Sequence, residues 1–103
     1  MLRITTEEND SQTRFRLEGR LKGDWVRELE GCWRSAANTE PNRQFSVDLS
    51  SVDFIDESGK DLLTRMASHR VLLETHNNLM ISAVVEEVMR GSSTQSRAVR
   101  VKQ

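Results

Sequence analysis

The 103-residue chain has one cysteine, one proline and five scattered glycines. With Cys32 as the only thiol, there is no disulfide framework within the chain. A nucleophilic cysteine needs an activating neighbour, and neither His69 nor His76 is near Cys32 in sequence. Cys32 is therefore expected to be a buried structural thiol. The dispersed glycines build no phosphate-cradling loop. No apolar run approaches the ~20 residues of a membrane span, and Met1-Leu-Arg-Ile-Thr-Thr6 does not read as a signal peptide. A cytoplasmic protein is expected. An excess of one charge is also missing: 15 basic and 16 acidic residues leave a net charge of −1, so electrostatics offer no reason to expect a nucleic-acid partner.

What is present fits one modest domain. Leu2, Ile4 and Thr6 alternate with Arg3 and Thr5, and Phe15 and Leu17 alternate with Arg14, Arg16 and Glu18. With the polar turn Glu7–Gln12 between them, these read as a hairpin. Asp24 then precedes Trp25, Val26, Leu29, Cys32, Trp33, Ala36 and Ala37, an apolar stripe at helical spacing. Asp24 is the expected N-cap, with Glu28 supporting the first turn. Both tryptophans are expected in the core. Gly31 weakens the helix by about 1 kcal/mol relative to Ala. The segment Asn38–Asn42, with Pro41, ends it.

The stretch from Phe45 to Leu73 organises the rest. Phe45, Val47 and Leu49 alternate with Ser46, Asp48 and Ser50, the period of a strand buried on one face. Ser50–Phe54 reads as a short connection. Asp56-Glu57-Ser58-Gly59 then opens a helix whose stripe is Leu62, Leu63, Met66, Ala67 and Leu73. Ser58 followed by Asp61 has capping-box spacing, so Ser58 is expected to accept from the Asp61 amide. Thr75–Asn78 reads as a turn. Leu79, Ile81, Ala83 and Val85 alternate as a fourth strand, and Glu86–Arg90 as a short helix stopped by Gly91. Residues 91–103 read as a polar, basic tail, either mobile or adding an edge strand at Ala98–Lys102. The expected fold class is α/β, a four- to five-stranded mixed sheet with helices packed on one face.

Asp48-Leu-Ser-Ser-Val-Asp-Phe-Ile-Asp-Glu-Ser-Gly59 resembles the signature of the STAS domain family, which includes bacterial anti-sigma-factor antagonists and the cytoplasmic tails of sulfate transporters. The family pattern is a strand ending in Asp-Leu or Asp-Phe, an apolar pair, then Asp-Ser/Thr-Ser/Thr-Gly opening a helix. The resemblance implies a STAS-like domain over residues 1–90 with a truncated C-terminus. In sigma-regulating members the residue after the signature Asp is a Ser or Thr that a partner kinase phosphorylates, which breaks the complex. Residue by residue, Asp56 matches the signature Asp and Gly59 the Gly. Glu57 falls on the acceptor position. Ser58 falls on the next position, which is not the usual acceptor.

The resemblance thus implies a non-enzymatic interaction module without the serine switch. Its partner-binding residues would be Asp53, Asp56, Glu57, Ser58, Gly59, Lys60, Asp61 and Arg65, with Ser58 the remaining candidate for phosphorylation. The partner would be an anti-sigma factor or kinase-like ATPase. One alternative is a transporter subunit, for an accessory role in lipid or anion transport. A second is a small-ligand or nucleotide-binding module, and pairing through an open sheet edge would give a homodimer. Asp48, Asp53, Asp56, Glu57 and Asp61 are carboxylate-rich, but their spacing does not follow an EF-hand loop. They are expected to be solvated, with no metal or cofactor.

Overall fold

A computed structural model describes the backbone of residues 1–101 and the side chains of residues 1–90. In chain order the elements are β1 (Leu2–Glu8), β2 (Gln12–Leu21), α1 (Asp24–Thr39), β3 (Gln44–Ile55), α2 (Glu57–Ser68), β4 (Leu72–Glu74) and α3 (Leu79–Val101). The strands lie in that order in one sheet. β1 pairs antiparallel with β2, and the other two pairings are parallel. The two crossovers, β2-α1-β3 and β3-α2-β4, step the same way across the sheet. Right-handed connections of this kind put both helices on one face. The α/β class and mixed sheet expected from the sequence are therefore present, with four strands.

One core lies between the sheet and the helices. It joins Phe15, Leu17 and Leu21 of β2 and Val47, Leu49, Val52 and Ile55 of β3. The helices add Val26, Leu29 and Trp33, then Leu62, Leu63 and Met66, then Ile81, Val85 and Val88. The residues of β3 that face it are not evenly spaced. The register against β2 slips between Arg16 and Glu18 and again between Gly19 and Arg20. Each slip places one extra residue in β3, a β-bulge, and restores an apolar side chain to the inner face. The expected connection at Ser50–Phe54 is thus bulged strand. The opposite face is open and charged, carrying Arg3, Glu7, Arg14, Arg16, Asp48 and Glu74 by register.

Several local expectations are corrected. Gly23, not Asp24, is the N-cap of α1; its φ of 59° is a left-handed conformation that glycine adopts freely, and Asp24 is the first helical residue. Trp33 is buried, but Trp25 is 37% exposed and lies outside the core. Cys32 is half-buried and packs against the core edge. The second helix stops at Ser68, and Leu72–Glu74, expected as its continuation, is β4. Arg70, at φ 69°, reverses the chain between them.

The largest correction is α3. The expected strand Leu79–Val85 is helical. Ile81, Val85 and Val88, four and three apart, form its buried stripe, and the Ile81 amide donates to Asn78 Oδ1 at 3.2 Å. The alternation of Leu79 and Ile81 misled because Leu79 is 83% exposed. The backbone continues helical through Gly91 to Val101, so Ala98–Val101 is not an edge strand; Lys102 and Gln103 lie outside the described residues.

Candidate functional site

The acidic turn sits where β3 ends and α2 begins. Asp56, in extended conformation, is the N-cap of α2. Its Oδ1 accepts from the Gly59 amide at 2.8 Å and from the Ser58 hydroxyl at 2.9 Å. Its Oδ2 accepts from the Gly23 amide at 3.0 Å. One carboxylate therefore caps α2 and ties it to the start of α1. Burial alone would raise its pKa, but the donors from Gly23, Gly59 and Ser58, with Lys22 nearby, hold it below the ordinary aspartate value. The capping role expected for Ser58 thus belongs to Asp56, and Ser58 donates to the cap rather than forming it.

Gly59 is buried under this turn. A Cβ there would lie 2.9 Å from both the Leu21 carbonyl oxygen and Ile55 Cγ2. The helix can press against the ends of β2 and β3 only because that position has no side chain.

The remaining predicted residues divide into three groups. Glu57 and Asp61 are exposed, the Glu57 side chain to 88%. Lys60 reaches Glu57 at 3.4 Å and Glu87 of α3 at 3.5 Å. Its hydrogen bond to Glu57, aided by the charges of Glu57 and Glu87, raises its pKa. Arg65 lies five residues further along and donates to Glu30 of α1 at 2.9 Å. That bond, with the charges of Arg65 and Arg34, lowers the Glu30 pKa against the effect of burial. Lys60 and Arg65 are thus ties between helices, while Glu57, paired only with Lys60 among the described residues, and Asp61 lie on the exposed surface. Asp53 is separate again. It joins Arg20, Lys22 and the half-exposed Phe54 around a shallow depression of about 440 Å³ beside the turn.

Comparisons with known proteins match the fold. The crystal structure of an anti-sigma-factor antagonist STAS domain from Rhodobacter sphaeroides superposes with a TM-score of 0.54 at 19% identity, covering 75% of this chain and 89% of that one. The fold is STAS-like. An uncharacterised DUF3478-family protein with a SpoIIAA-like fold, from Shewanella loihica, gives a TM-score of 0.55 at 14% identity, covering 80% of this chain and 72% of that one. No family model and no curated protein matches the chain. Among the described residues, no helix of this STAS-like domain is long and apolar enough to cross a membrane.

The STAS-like sheet also assembles a group that sequence spacing missed. β3 and β4 pair so that Asp48 lies directly beside Glu74. The following turn brings His76 Nε2 to 3.9 Å from Asp48 Oδ1 and 3.9 Å from Glu74 Oε1. Burial would raise the Asp48 pKa, but the hydroxyl and amide of Ser50, with His76 and Arg14 nearby, bring it below the ordinary value. This trio is illegible without β4, because only the strand register brings residues 48 and 74 together.

Proposed function

We propose that the chain is a non-enzymatic protein-interaction module of the anti-sigma-factor-antagonist type that works without a serine phosphorylation switch. It docks a partner protein through the turn Asp56–Gly59, the depression at Asp53, and the exposed side of α2 at Asp61. The single observation that carries this reading is Glu57. It is the first residue of α2, its side chain is 88% exposed, and it falls where the resemblance puts the phosphate acceptor. A glutamate supplies one negative charge, against nearly two and three acceptor oxygens for a phosphoserine. A charge that no phosphatase removes gives no on–off control, so binding is constitutive. Ser58 does not replace the switch: its hydroxyl is engaged by Asp56, and a phosphate there would press against that carboxylate. The fold shared with the Rhodobacter sphaeroides domain supports the interaction role. The mixed charges of Arg20, Lys22, Asp53, Glu57 and Asp61 suit a protein surface better than a single small anion.

The test is affinity capture from source-cell lysate with wild type and Glu57→Lys as baits, bound proteins being identified by mass spectrometry. The expected result is a kinase-like ATPase or anti-sigma factor captured by wild type and lost with Glu57→Lys. Capture of a transporter subunit instead moves the function to transport. Equal capture by both baits reduces the Asp56–Gly59 turn to a helix cap and overturns the docking site, and a phosphate on Ser58 in the intact mass of native protein overturns the unswitched reading.

A further inference from the structure

The open face of the sheet holds a polar cluster that the interaction role does not use. Asp48 is only 8% exposed, and Ser50 donates both its amide (2.9 Å) and its hydroxyl (2.7 Å) to the same oxygen, Oδ1. Oδ2 receives no hydrogen bond among the described residues. Glu74 Oε1 is buried and ion-paired with Arg14 Nε at 3.2 Å, and neither atom makes an aligned hydrogen bond among the described residues. Ser46, fully buried two residues before Asp48 on the same face, also has an Oγ bonded to nothing among the described residues. A buried polar atom without a partner is uncommon and costly, so Ser46 Oγ beside the unbonded Asp48 Oδ2 calls for an explanation.

The turn that carries the neighbouring imidazole is fixed in place. His76 sits at φ 49° in the turn after β4. Two residues later, the Asn78 side-chain amide donates to the carbonyls of Leu49 (3.4 Å), Ser50 (3.1 Å) and Val52 (2.8 Å), while its oxygen caps α3. The turn is thereby fastened to the bulged part of β3, next to Asp48. One donor atom each from Asp48, Glu74 and His76 lies within 4.8 Å of the others.

We propose that Asp48, Glu74 and His76 form a binding site for a divalent first-row transition metal. One imidazole nitrogen and two carboxylates are a donor set for such ions, whereas calcium would require more oxygen ligands than the cluster offers. Donors at ~2.1 Å from a zinc ion stand roughly 3.4 Å apart. The 3.9 Å separations close to that by side-chain rotation. The remaining coordination positions face solvent on the side of His76, which is exposed. Arg14 is the competitor. Its guanidinium also reaches Glu7 at 3.9 Å, and it would swing to that carboxylate when a cation takes Glu74.

The experiment is calorimetric titration of tag-free protein with zinc chloride, with the visible absorption of added cobalt(II) as a second readout. One saturable site is expected. His76→Asn, which keeps a residue tolerant of left-handed backbone, and Glu74→Gln should each weaken binding at least about tenfold. Arg14→Met should tighten it, and His69→Asn should leave it unchanged. Circular dichroism confirms that each variant is folded. Absence of saturable heat, or binding unaltered by both His76→Asn and Glu74→Gln, overturns the site.

Discussion

Two aspartates eight residues apart on the same strand-and-turn segment illustrate two ways of placing a carboxylate. Asp56 has both oxygens occupied by donors from three residues, and it locks two helices at their beginnings. Asp48 has one oxygen accepting two hydrogen bonds and the other none among the described residues, and the buried Ser46 Oγ two residues before it also lacks a partner among them. Asp56 is saturated and serves architecture, leaving the adjacent Glu57 to present charge outward. Asp48 keeps one oxygen with unused bonding capacity. The difference shows that a sequence rich in acids does not reveal which of them are structurally satisfied; the donors around each carboxylate do.

The strongest way to break the comparison is Gly59→Val. Its side chain would meet the Leu21 carbonyl and Ile55, separating the helix from the sheet at the Asp56 turn. Overpacking of this kind costs about 3 kcal/mol, and urea denaturation should show it as a lower midpoint. Asn78→Ala attacks the other side. It removes the cap of α3 and the donor to three carbonyls of β3, at a cost of roughly 2 kcal/mol, again read as a shift in the urea midpoint. The zinc affinity should fall with it while Glu57-dependent capture survives. The smallest effect sharpens the contrast by pH. The folded pKa of Asp56 is depressed, so its contribution to stability is fully present above the unfolded value of about 3.9 and is lost as pH falls through the folded value. Asp56→Asn keeps a good N-cap but abolishes that contribution. Thermal melts of wild type and variant should differ by about 1 kcal/mol or less at pH 7 and converge below about pH 4.

Much of the fold was legible in the sequence because alternation and helical spacing agreed with burial. The hairpin, α1, β3 and α2 all follow apolar patterns that the core uses. The last third was not. Leu72 and Leu73 continue the stripe of α2, so β4 is hidden inside an apparently longer helix. Ile81, Val84 and Val85 have the β-branched character of a strand, but burial of Ile81, Val85 and Val88 against α2 and β3 decided for a helix. A signal was available: Asn78 precedes the segment and is a favoured N-cap. At the candidate site, the acidic turn was visible as a motif. The division of labour within it was not, because Lys60 and Arg65 find Glu87 and Glu30 only once the helices pack.

The two bulges of β3 act like a corrected reading frame. Phe45, Val47 and Leu49 keep even count, and one inserted residue before Val52 and another before Phe54 let the count resume on the core side at Val52 and Ile55. A single-residue deletion between Leu49 and Val52 would put every later side chain of the strand out of phase, turning Val52 and Ile55 toward water before α2 begins. A substitution in this segment leaves the phase of the strand unchanged, whereas a change of length is acceptable only in compensating pairs. The acidic turn keeps its orientation by virtue of a count as well as of the Asp56 carboxylate that fastens it.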